Sequence, residues 1–159
     1  MTRKGVWNLQ QTRDKYLQSL WANPNRLFIS GSNEEGAMGQ NQRYDAPSPG
    51  DRGRSSPVQI PGDWNSVTTS GKGVSVTRGD GTLWSWGYNQ YGQLGNNSTI
   101  DSAIPVNIST SQVITQIACG ANHTAMLTNT GSVLTVGRNN YGQLGHTPTN
   151  NLTPFSFLR

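Results

Sequence analysis

The chain of 159 residues is 32% hydrophobic and only 13% charged, with a net charge of +4 and 19 glycines. At a mean hydropathy of −0.61, it has no apolar run near the roughly 18 residues of a membrane-spanning helix. Its single cysteine, Cys119, excludes an intrachain disulfide and a cysteine-based zinc site.

Residues 1–24 come first and stand apart from the rest. Arg3 and Lys4 are followed by no apolar stretch, so no secretory signal is expected. Gly5-Val6-Trp7 reads as extended, and Asn8 with Gln11 fits a helix capping box. Leu9, Tyr16, Leu17, Leu20 and Trp21 then recur at roughly helical spacing until Pro24 stops the pattern. The expectation is a short amphipathic helix in an anchoring segment. Its candidate interface residues are Val6, Trp7, Leu9, Leu17, Leu20 and Trp21.

From residue 25 the pattern changes to repeats. Gly81 to Gly95 aligns without gaps to Gly131 to Gly145 at an offset of 50. A degenerate earlier copy is Leu27-Phe28-Ile29-Ser30-Gly31-Ser32-Asn33 followed by Gly36-Ala37-Met38-Gly39. In each good copy, residues of period two flank a glycine turn. Val74 to Thr77 faces Thr82 to Trp86 across Gly79-Asp80-Gly81, and Ala125 to Leu127 faces Ser132 to Val136 across Asn129-Thr130-Gly131. A linker proline recurs in Pro57-Val58-Gln59-Ile60, in Pro105-Val106-Asn107-Ile108 and, at its start only, in Pro154-Phe155. Hairpins at a period of about 40–50 residues signal β-propeller blades. The expected fold is all-β, a partial propeller of about two to three blades of short antiparallel strands, preceded by the N-terminal helix. The repeats fall near 25–62, 63–110 and 111–159, within a repeat domain of 25–159.

Trp86-Gly87-Tyr88-Asn89-Gln90-Tyr91-Gly92-Gln93-Leu94-Gly95 and Ile117-Ala118-Cys119-Gly120-Ala121-Asn122-His123-Thr124 resemble the repeats of the regulator of chromosome condensation family. That resemblance implies a propeller, seven-bladed in the best-known members. Some eukaryotic members exchange nucleotide on a small GTPase and dock on chromatin. Seven blades of about 50 residues need about 350, so an open arc is expected here. A second resemblance covers Lys4 to Lys15, which is similar to leader segments of tail-fibre or other structural proteins of marine bacteriophages. It implies a virion protein whose N-terminal peptide docks on a neighbouring subunit.

No catalytic constellation stands out. His123 and His146 are the only histidines, and neither has a nucleophile or carboxylate at fixed spacing. Asp80 and Asp101 read as turn residues. Gly71-Lys72-Gly73 lacks the spacing of a phosphate loop. Arg78-Gly79-Asp80 spells an adhesion tripeptide but sits where a hairpin must turn. Trp84 and Trp86 share one face of a strand and read as packing between blades rather than a sugar platform. Eight of the twelve basic residues precede residue 55 among five acids, so nucleic-acid binding is not expected.

The reading is a non-enzymatic structural protein of a phage virion, tail fibre or tail-associated, without cofactor or metal. Its expected partners are other virion proteins and further copies of itself, a trimer being favoured. The rival readings are a cellular propeller-repeat module that binds another protein and, after it, a nucleotide-exchange factor.

Overall fold

The computed structural model describes residues 25–41, 53–147 and 156–158. The expected N-terminal helix and the six anchor residues Val6, Trp7, Leu9, Leu17, Leu20 and Trp21 lie outside them. Three antiparallel sheets follow one another along the chain. The first pairs β1 (Leu27–Ser32) with β2 (Gly53–Ile60), joined through a short 3-10 turn at Glu34–Gly36. The second has β3 (Trp64–Thr69), β4 (Gly73–Arg78), β5 (Leu83–Gly87) and β6 (Ser102–Ile108) in that spatial order. The third repeats it with β7 (Ile114–Cys119), β8 (His123–Thr128), β9 (Val133–Gly137) and β10 (Ser156–Leu158).

The second and third sheets are one design in one register. Val74 pairs with Trp86 and Val76 with Trp84, while Thr124 pairs with Val136 and Met126 with Leu134. Even the irregularity is copied: β3 shifts register between Trp64 and Ser66, and β7 between Ile114 and Gln116. The hairpins turn where glycine permits a left-handed backbone, at Gly81 (φ 78°) and Gly131 (φ 82°).

The recurrent prolines correct the linker expectation. Pro57 lies inside β2 and Pro105 inside β6, the edge strand of the second sheet. Each falls where the ladder shifts register, between Arg54 and Val58 and between Ser102 and Val106. Proline has no N–H for a ladder, so an edge or a bulge is where a strand tolerates it. The segments read as linkers are therefore outer strands.

Side chains alternate between the two faces of a strand, and the middle sheet buries both, with β4 buried from Gly73 to Thr77. Val74, Val76 and Trp86 join Ile60 and Trp64 in a core against the first sheet, with Leu27, Ile29 and Trp84 at its margin. Leu83 and Ile108, on the opposite face, join Ile114, Met126, Leu134 and Val136 of the third sheet. The position that carries Trp84 in one repeat carries Leu134 in the next, so the same face of each sheet packs on its predecessor. Trp84 and Trp86 both lie beside Trp64, at 6.1 and 6.2 Å between ring centroids. The tryptophan pair is packing between blades, as its alternation implied.

Candidate protein-interaction face

The described residues that follow β1, β3, β5, β7 and β9 lie at one end of the three sheets. Three of them share a frame set by an asparagine. Asn33, Asn89 and Asn139 are buried, and each offers Oδ1 to a backbone N–H five residues on, at Met38, Leu94 and Leu144, all at 3.0 Å. Met38, Leu94 and Leu144 are themselves buried. Asn89 Nδ2 also donates to Asn96 Oδ1 and to the carbonyls of Ser98 and Ile100. Its own N–H donates to Asp101 Oδ1 at 2.7 Å, which gives Asp101 its place in the turn.

The glutamines hold the tips. Gln93 Oε1 accepts from Tyr91 N at 3.0 Å, and Gln143 Oε1 from Tyr141 N at 2.9 Å. Within Asn-x-Tyr-Gly-Gln-Leu-Gly the asparagine caps, the glutamine pins, the leucine packs and the glycines turn. The tyrosine ring takes no part in this framing. Tyr141 is 83% exposed.

These rings fall into one row with the cations of the same face. Lys72 Nζ lies 3.8 Å from Glu35 Oε1 and 6.0 Å from the Tyr88 ring centroid. Tyr88 meets Tyr91 edge to face at 6.1 Å. Arg138, which occupies the place of Tyr88 in the next repeat, lies between the rings of Tyr91 (5.1 Å) and Tyr141 (5.6 Å). Partial burial raises the Tyr88 phenol above its ordinary value, helped by Tyr91, Asp101 and Glu35 and opposed by Lys72. Beside the row, a cleft of about 400 Å³ is lined by Glu35, Gly71, Lys72, Tyr88, Gln90, Ala121 and Asn122, drawn from all three sheets.

The other sequence candidates are elsewhere or have structural tasks. Arg78-Gly79-Asp80 is the β4–β5 hairpin: Arg78 N donates to Thr82 O, Gly81 N to Arg78 O, and Asp80 Oδ1 accepts from Thr82 N and Oγ1. Arg78 lies over Trp84 at 4.2 Å and Trp64 at 5.1 Å, so the tripeptide is folded into packing. Gly71-Lys72-Gly73 is the β3–β4 turn, where the Lys72 carbonyl accepts from Tyr88 N. His123 opens β8, its carbonyl accepting from Gly120 N, and His146 Nδ1 sits 3.1 Å from Asn139 Nδ2. Among the described residues, no group of three or more His, Cys, Asp or Glu is placed to hold a metal. The tyrosine row was missed by sequence reasoning, although a tyrosine at one fixed place in both Gly-Gln-Leu-Gly loops was its visible signal.

Residues 80–127 and 130–157 match the regulator of chromosome condensation (RCC1) repeat, and a second description of the same repeat matches 114–143. A stretch of 85 residues is 42% identical to the human protein described as a probable E3 ubiquitin-protein ligase, HERC4, covering 52% of this chain and 8% of that protein. Over 68 residues it is 50% identical to human protein RCC2, covering 42% of this chain and 13% of the relative. The chain thus spans a small part of these relatives' length. Among solved structures, human WBSCR16 superposes with a TM-score of 0.70 at 23% identity, over 86% of this chain and 34% of that one. Prp20p from Saccharomyces cerevisiae, a protein described by its binding to Gsp1p and histones, superposes at 0.61 with 21% identity, over 79% and 29%. At these identities the two structures bear on the fold, which is that of propeller blades.

Proposed function

We propose that this chain, whose residues 80–127 and 130–157 match the RCC1 repeat, is a non-enzymatic protein–protein interaction module whose contact surface is the tyrosine row. One observation carries the reading. The Tyr91 and Tyr141 rings, with Arg138 against both, stand at the tips of loops that Gln93 and Gln143 pin from within. Tyrosine and arginine are the residue types enriched where proteins meet, because they bring large, stiff contact area with a polar end. The binding of Prp20p to Gsp1p and histones is in keeping with a binding role. The virion role expected from the leader has its support in Lys4 to Lys15, outside the described residues, and the comparisons support the interaction reading more directly.

Site-specific photo-crosslinking tests it. A benzophenone amino acid at position 141 or 90 is expected to capture a partner protein in the native host. The same probe at positions 80 and 130, in the opposite turns, is expected to capture none. Equal capture at both ends would contradict the assignment of the face.

A further inference from the structure

Arg138 differs from the other cation of the row. Lys72 has Glu35 beside it. Among the described residues Arg138 has no acid within ion-pair distance, and its buried Nε has no hydrogen-bond partner. Its charge rests on two ring faces, Tyr91 and Tyr141. Such stacking fixes the plane of the guanidinium, leaving the fork set for a planar, two-oxygen acceptor. The half-buried guanidinium thus has an unanswered N–H and no counter-charge, and a carboxylate arriving from outside supplies both partner and charge. The chain's N-terminal segment is a poor source: residues 1–24 bring Asp14 against Arg3, Lys4, Arg13 and Lys15, and 42–52 carry as many cations as acids. A phosphate backbone is a poor match too, since it wants a run of cations and Glu35 and Asp101 flank this row.

We infer that Arg138 takes the carboxylate of an acidic side chain on the partner protein, with the exposed Tyr141 ring covering that side chain's apolar stem. This rests on the interaction face proposed above and adds the partner's chemistry to it. The partner is a protein segment that presents Glu or Asp among apolar residues.

The test titrates the full chain with a fluorescein-labelled peptide of alternating Glu and Leu, and with its twin carrying Gln for Glu. Anisotropy is expected to show the Glu peptide binding about tenfold tighter at low salt, with the preference shrinking as salt is raised. Arg138→Gln is expected to bring the ratio to about one without weakening the Gln twin. Tyr141→Ala, at a ring exposed to 83%, is expected to weaken both peptides. Equal binding of the two peptides, or a preference that survives Arg138→Gln, overturns the inference. If the ratio is one while Tyr141→Ala still weakens both, the acidic partner is wrong and the face stands. If Tyr141→Ala changes neither, the face itself is wrong. Tighter, Arg138-dependent binding of an oligo(dT) probe would assign the site to nucleic acid, and no binding of any probe at millimolar concentration would also overturn the inference.

Discussion

The indole Nε1 of Trp86 donates to the carbonyl of Ala37 at 2.9 Å, 49 residues earlier and one sheet away. Gln93 holds the same place in the next copy, and its carbonyl accepts from Thr124 Oγ1 at 3.0 Å, again one sheet on. The loops framed by Asn33 and Asn89 thus each offer a carbonyl to the sheet that follows. A different residue type answers the offer in each case, while the acceptor stays fixed. The blades are clasped by the same loops that carry the tyrosine row.

Trp86→Phe tests that clasp. The indole is fully buried, and Phe leaves both a void and an unanswered Ala37 carbonyl. Urea unfolding should show a loss of about 2–3 kcal/mol.

Asn89→Ala should cost about 3 kcal/mol, because it strands buried polar groups on both sides of the loop. Asn139→Ala, at a side chain with fewer bonds, should cost less. Comparing urea midpoints of the two variants checks the ranking.

Two glycines of one hairpin should respond differently to alanine. Gly131 (φ 82°) has open space where a Cβ would go, so Gly131→Ala carries backbone strain alone, about 1 kcal/mol. Gly137 (φ 110°) would drive a Cβ into the Asn122 carbonyl, and Gly137→Ala should lose at least about 2–3 kcal/mol. Thermal or urea denaturation separates them.

Much of this was legible in the sequence, and the part that was not has a physical reason. The hairpins could be read because Gly81 and Gly131 mark turns between residues of period two. The outer strands could not, because Pro57 and Pro105 look like breaks until the strand is known to be an edge. The tyrosine row was hidden for another reason. Tyr88 and Arg138 hold one repeat position, yet each meets Tyr91, one from its own loop and the other from the loop of the next sheet. Such contact depends on how successive sheets sit together, which periodicity does not encode.

Stability should bend at both ends of the pH scale. The Thr82 hydroxyl and amide, with Arg78, hold the Asp80 carboxyl below its ordinary value of 3.8. A depressed folded value contributes stability above that pH and loses it as pH falls through it. Asp80→Asn should flatten this acid limb. The Tyr88 phenol is raised above 10.0 by burial, so its contribution holds below pH 10 and fades as pH rises beyond it. Tyr88→Phe should remove that alkaline loss. Urea midpoints across pH check both signs.

The tyrosine face exists only if the third sheet sits on the second so that their loops line up. Cys119 N lies 3.3 Å from Thr68 Oγ1, across that junction from β7 to β3, and Cys119 is the chain's only cysteine. A thiol at position 68 therefore stands against the Cys119 backbone, which makes the two positions a candidate disulfide pair. Under mild oxidation, Thr68→Cys is expected to close an intramolecular disulfide, seen as a mobility shift without reductant and a mass two hydrogens lower. Ser66→Cys, two residues along the same strand, is expected to stay reduced. If Thr68→Cys formed only intermolecular disulfides, or closed no more readily than Ser66→Cys, the docked blades and the face built on them would be contradicted.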